Sequence, residues 1–222
     1  MLSDAIVTLQ DPTSVAAEAY RTLRTNIEFA NVDEPIKTLL LTSAGPDADK
    51  EVCLANLAVT MADGGQTVML VDADLRRPAL HDLFGLSNTR GFTDMFRDQA
   101  AFDEPPLQAI ADTTLSVLTS GPLPHIPSQI LNSTKMADVL DRLAGLARIV
   151  LFNAPPLMVV TDASLLASKV DGTLLIVKAN VSKRDHVKAA TSRLEKVNAR
   201  LIGAVLSNAP LDSASKQYYE GR

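Results

Sequence analysis

Apolar residues in this chain arrive in short unbroken runs, and that pattern constrains the fold more than any other feature. Six such runs are bounded by turn residues: "KTLLLTS" (Lys37–Ser43), "TVMLVDA" (Thr67–Ala73), "LSVLTSG" (Leu115–Gly121), "RIVLFNA" (Arg148–Ala154), "GTLLIVKA" (Gly172–Ala179) and "RLIGAVLSN" (Arg200–Asn208). A strand with one wet face alternates apolar and polar positions. Consecutive apolar positions mean a strand covered on both faces, as in a parallel sheet. Helical stretches separate the runs. "EVCLANLAVTMADGG" places Val52, Leu54, Leu57, Ala58 and Met61 largely on one side and stops at Gly64-Gly65. "PSQILNSTKMADVLDRLAGL" reads as one or two helices, and "DASLLASKV" and "RDHVKAATSRLEKVNA" precede the last two runs. Repeated strand–helix–strand units predict a doubly wound, mostly parallel α/β sheet with helices on both faces. Ligands are then expected at the carboxyl ends of its strands.

The organisation expected is a helical arm over residues 1–36, a P-loop-like α/β domain over 37–210, and a loose polar tail over 211–222. The 222 residues suffice for one sizeable core. With 21 Lys+Arg against 26 Asp+Glu, the net charge of −5 argues against a broad nucleic-acid surface. A single cysteine, Cys53, excludes an internal disulfide framework and reads as a buried small hydrophobe. His81, His125 and His186 show no metal-ligand spacing. No apolar run is long enough for a membrane span, and the start lacks the pattern of a secretory signal. The chain therefore reads as soluble and cytoplasmic.

Four segments carry chemistry. "LLLTSAGPDADKEVCLANLA" has the strand–loop–Lys–helix layout of a phosphate-binding loop, in which backbone N–H groups and a helix N-terminus cradle phosphate. The lysine reaches the terminal phosphates, and the next hydroxyl holds Mg²⁺. Here the loop is Pro46, Asp47, Ala48, Asp49, Lys50 and Glu51. Aspartates stand where glycines are expected, and a glutamate replaces the metal-binding hydroxyl. "VMLVDADLRRP" sets Asp72 and Asp74 at a strand end, where acids handle Mg²⁺ or accept a hydroxyl proton; the plainer reading is a strand-end turn. "RIVLFNAPP" ends in Asn153 where a Walker-B strand ends in Asp. "EAYRTLRTN" brings Glu18, Arg21 and Arg24 near one helix face, either a solvated face or a contact surface. Arg76-Arg77-Pro78 reads equally as an arginine tying down a loop.

These segments resemble the cytoplasmic domain of the bacterial tyrosine kinases that control capsule and exopolysaccharide production. The resemblance extends over "EAYRTLRTNIEF" (Glu18–Phe29), "ANLAVTMA" (Ala55–Ala62), "VDADLRRPALHDLFGL" (Val71–Leu86), "GFTDMF" (Gly91–Phe96), "SGPLPHIPSQILNSTKM" (Ser120–Met136), "APPLMVVTDA" (Ala154–Ala163) and "VDGTLLIV" (Val170–Val177). It implies that Lys50, Asp72 and Asp74 occupy catalytic positions, with Asp74 and Asn153 at the metal. It also implies that Glu18, Arg21 and Arg24 form a ring contact between subunits, and that Tyr218 and Tyr219 are phosphoacceptors. The partner implied is a transmembrane polysaccharide co-polymerase that recruits the chain to the membrane. A partition-type positioning ATPase would carry a signature lysine where this chain has Gly45.

The departures at Asp47, Asp49, Glu51 and Asn153 all aim at the same phosphate and metal. A carboxylate about 4 Å from a phosphate charge costs about 4 kcal/mol at an effective dielectric of about 20. The expectation is a kinase-shaped chain that has lost nucleotide turnover and needs no cofactor. In it Asp49 caps the helix, and carboxylates fill the anion site and pair with Lys50. The alternative is a weak ATP- and Mg²⁺-dependent tyrosine autokinase.

Overall fold

The computed structural model describes residues 2–30, 35–46 and 48–210. Asp47, Tyr218 and Tyr219 lie outside the described residues. In chain order the elements are α1 (Val7–Gln10), α2 (Val15–Ala30), β1 (Thr38–Ser43), α3 (Lys50–Asp63), β2 (Val68–Asp72), α4 (Leu80–Phe84), α5 (Asp94–Arg97), α6 (Gln99–Asp103), β3 (Gln108–Ala109) and β4 (Leu115–Leu118). They continue as α7 (Pro127–Leu131), α8 (Lys135–Ala144), β5 (Ile149–Asn153), α9 (Asp162–Ala167), β6 (Gly172–Lys178), α10 (Arg184–Lys196) and β7 (Leu201–Ser207).

All six expected strands form, and they are parallel. The sheet order is β3-β4-β2-β5-β1-β6-β7, with β3 the one antiparallel addition among the described strands. The unbroken apolar runs serve two cores at once. Leu39 and Leu41 of β1, Val68 and Leu70 of β2, and Ile149 and Leu151 of β5 face the core beneath α3. Leu40, Met69, Val71, Val150 and Phe152 face the core beneath α8 and α9. Fully burying each such side chain is worth about 1.5–3 kcal/mol.

Helix α3 departs from the one-sided pattern expected of it, since every residue from Cys53 to Ala62 is buried. The reason is α2, which lies over it as a further layer. Ala17 and Ile27 of α2 are buried, and the Arg24 guanidinium donates to the Thr60 carbonyl near the end of α3 at 3.0 Å. A cation at a helix C-terminus meets the negative end of the helix dipole. At the amino ends of the central strands, Asp171 accepts from the Lys37 and Thr38 N–H groups (2.9 and 2.8 Å) and from the Thr38 hydroxyl (2.8 Å), clamping the turn before β6 to the start of β1. Gly91 is required by packing: a Cβ there would sit 2.1 Å from the Thr119 carbonyl oxygen. No helix among the described residues is long and apolar enough to cross a membrane.

Candidate functional site

The strand order reverses direction around β1, β5 and β2, and the carboxyl ends of these strands open together, where a doubly wound sheet keeps its ligand crevice. Register places Asp72, the last residue of β2, directly beside Asn153, the last residue of β5. Lys50 is the first residue of α3 and projects into the same crevice. Asp72 and Asn153 are fully buried, and Lys50 and Asp74 are each 3% exposed.

These groups form a closed network. The Lys50 ammonium donates to Asp74 Oδ2 (3.2 Å), to Asn153 Oδ1 (3.1 Å) and to the carboxylate of Glu51. An ammonium has three protons to donate, and all three are used. Asn153 Nδ2 donates to Asp72 Oδ1 at 2.9 Å. The other Asp72 oxygen accepts the Ala79 and Leu80 N–H groups (2.9 and 3.0 Å), so this carboxylate holds the turn into α4. Asp74 Oδ1 likewise accepts the Arg76 and Arg77 N–H groups. Burial pushes the Asp72 carboxyl up to about 6. The Leu80 N–H, the Asn153 amide and the Ala79 N–H pull the other way, and the charge of Asp74 adds to the rise.

The loop behind Lys50 corrects one expectation. Asp49 stands at the N-cap of α3, but its side chain makes no capping bond. It pairs instead with Lys178 at the end of β6, 2.5 Å away. The backbone explains this: Asp49 sits at φ +50°, the left-handed region, where a non-glycine residue carries about 1–2 kcal/mol of strain. That geometry turns the carboxylate outward, away from the first-turn N–H groups. Glu51 is the carboxylate that pairs with Lys50, as expected. Ala48 is buried, and Pro46 is exposed beside it.

Of the other candidates, Glu18 and Arg21 form an ion pair on the open side of α2 (2.7 Å), whereas Arg24 turns inward to α3. Arg76 makes a bidentate pair with the buried Asp162 at the start of α9 (2.8 and 3.1 Å), tying down the loop after β2. Cys53 is buried, and burial pushes its thiol up to about 11 against a hydrogen bond with Tyr20. Two participants were not singled out from sequence, Lys178 and Asp162. Each carries a weak signal: a lysine closing an otherwise apolar strand, and an aspartate opening a helix.

No family model matches the chain. Individual relatives do. The chain is 36% identical over 216 residues to tyrosine-protein kinase YwqD of Bacillus subtilis, covering 97% of this chain and 91% of that protein. It is 30% identical over 210 residues to tyrosine-protein kinase etk of Escherichia coli K12, covering 95% of this chain and 29% of that longer protein. Among solved structures, the chimerical protein CapA2B2 superposes with a TM-score of 0.86 at 31% identity, covering 94% of this chain and 92% of that one. The kinase domain of Escherichia coli ETK superposes with a TM-score of 0.88 at 28% identity, covering 94% and 82%. The septum site-determining protein MinD of Pyrococcus horikoshii, at 18% identity and a TM-score of 0.64, shares the fold. A relative this similar along nearly its whole length, with kinase domains superposing on the same sheet, settles the lineage: the chain belongs to the bacterial tyrosine kinase family.

Proposed function

We propose that this chain is a catalytically impaired, kinase-shaped component of capsule or exopolysaccharide biosynthesis. It acts by binding a transmembrane co-polymerase at the inner face of the membrane rather than by phosphoryl transfer. One observation carries the reading: the P-loop lysine is fully engaged by Glu51, Asp74 and Asn153, and Asn153 in turn holds Asp72. The family implies Mg·ATP, and the donor set here does not fit it. Glu51, at the metal-binding hydroxyl position, is spent on Lys50. Asn153 brings no charge, and both oxygens of Asp72 are occupied by N–H donors.

Titration calorimetry with Mg·ATP tests this reading. No saturable heat is expected in the micromolar range, and a micromolar Kd rejects it. The second reading, a weak tyrosine autokinase, draws on the Asp72 carboxyl, whose elevated value suits a base. Labelled ATP followed by phosphotyrosine detection at Tyr218 and Tyr219 decides between the two. Incorporation above a Lys50→Met control favours the enzyme. Glu18 and Arg21, paired with each other on the exposed side of α2, are accessible to a second copy, and we assign them to self-association.

A further inference from the structure

Leu123, Ile126, Val159 and Val181 are large apolar side chains that stand exposed. Each belongs to a segment that follows the carboxyl end of a parallel strand: β4 for the first two, β5 for Val159 and β6 for Val181. These segments lie side by side. α7, which follows Ile126, packs against α9, which follows Val159. The Leu157 and Met158 N–H groups donate to the Ser43 and Ala44 carbonyls at the end of β1 (2.8 and 3.2 Å). Gly45 and Pro46, next along the chain, line one cavity with Val181. From β4 to β6 is four strand spacings, so the face is about 19 Å wide. Pro122, Pro124 and Pro127 bracket Leu123 and Ile126, and rings that lock φ present those side chains at little ordering cost. Single exposed apolar residues are ordinary, whereas a set gathered on one face marks a contact.

The same face is basic on an acidic chain. Arg77 after β2, and Lys183 and Arg184 at the start of α10, are exposed and take part in none of the ion pairs among the described residues. The acids beside them are held: Asp49 by Lys178, Asp74 by Lys50 and Asp162 by Arg76. Asp185 is the one further exposed acid among the described residues of these segments. Three cations thus stand against one acid, or two with Asp47 counted from the sequence, on a chain of net charge −5. We propose that this face seats the chain directly on an anionic lipid surface. Apolar tips beside cations match the layers of a bilayer: the tips enter the acyl boundary while Lys and Arg meet the phosphate headgroups. The tips stand on three separate segments, which suits a fluid surface that imposes no fixed register. Near such a surface each Lys or Arg adds about fivefold in affinity. This contact is independent of the co-polymerase proposed above.

Flotation of the purified full chain with vesicles tests the proposal, comparing phosphatidylcholine alone with phosphatidylcholine mixed with phosphatidylglycerol. Binding is expected to be at least about tenfold stronger with the mixed vesicles and to weaken as salt is raised. Lys183→Glu with Arg184→Glu lowers it at least about twentyfold. Leu123→Asp with Val159→Asp lowers it at least about tenfold. Lys169, before β6, and Lys196, at the end of α10, lie at the opposite end of the sheet. Lys169→Glu with Lys196→Glu makes the same change in net charge there and leaves binding within about twofold. All six positions are exposed, and circular dichroism checks that each variant keeps the fold. Equal binding to the two kinds of vesicle, or none to either, overturns the proposal. So does a loss in the Lys169 and Lys196 variant as large as in the Lys183 and Arg184 variant, and so does parental binding by the Leu123 and Val159 variant. Sedimentation without vesicles is the last arm: self-association that Leu123→Asp with Val159→Asp abolishes assigns the face to a second copy and overturns lipid docking. No co-polymerase is present in these assays, so their outcome leaves that partner untouched.

Discussion

Replacing Asp72 with asparagine changes the stability of the fold in opposite directions at acid and neutral pH. The Asp72 carboxyl sits near 6 in the folded chain against 3.8 for an unperturbed aspartate. Between these values the folded state holds a proton that the unfolded chain has released, so stability falls as pH rises through the window. The magnitude is the difference, about two units, at 1.36 kcal/mol each, or about 3 kcal/mol lost between pH 4 and pH 7. The neutral amide of the Asp72→Asn variant carries no such penalty. Its carbonyl still accepts the Ala79 and Leu80 N–H groups, but its NH₂ group faces the Asn153 amide across the present 2.9 Å bond. One lost buried hydrogen bond costs about 1–2 kcal/mol at every pH. The variant is therefore less stable than the parent at pH 4 and more stable, by about 1–2 kcal/mol, at pH 7. Urea unfolding of both proteins at half-unit pH steps, followed by far-ultraviolet circular dichroism, measures the difference directly. Titrations common to both proteins cancel. A difference that stays flat with pH, or that favours the parent more as pH rises, refutes the reasoning.

Three further outcomes follow from the geometry. Arg76→Met leaves the buried Asp162 carboxylate unpaired and costs about 2 kcal/mol in urea, a value discounted because Arg76 is itself partly exposed. Arg24→Met loses the bond to the Thr60 carbonyl and lowers stability by about 1–2 kcal/mol, whereas Glu18→Ala with Arg21→Ala shifts it by less than about 0.5 kcal/mol. Sedimentation then separates the roles, since only the second pair of changes is expected to reduce self-association without weakening the monomer. Restoring Asp49→Gly, Glu51→Ser and Asn153→Asp together removes the Glu51 partner of Lys50, places a carboxylate at the metal position and relieves the loop, and calorimetry is expected to show Mg·ATP binding at least about tenfold tighter than in the parent.

The strands were legible because burial on two faces leaves an unmistakable trace: Leu39, Leu40 and Leu41 in succession cannot be satisfied by a half-wet sheet. Strand β3 left no trace. Its two residues, Gln108 and Ala109, are partly exposed and are held by pairing with β4 rather than by their own pattern. The layering of α2 on α3 was equally silent, because a helix buried on both sides looks in sequence like a helix with a broad apolar face. Within the site, a loop carboxylate as partner for Lys50 was expected from the acidic loop, whereas its bonds to Asp74 and Asn153 were not. Nor was the capture of Asp49 by Lys178. It depends on one left-handed residue and on a strand far along the chain, and neither is encoded locally. Arg76 and Asp162, 86 positions apart, meet for the same reason.

The clamp formed by Asp171 lies at the end of the sheet opposite the phosphate loop. Cohesion of the central strands is thus anchored at both ends, by this clamp at one and by the Lys50–Asn153–Asp72 network at the other. A sheet fastened at the end away from its crevice lets the loops of that crevice vary in sequence while the shape of the whole is kept.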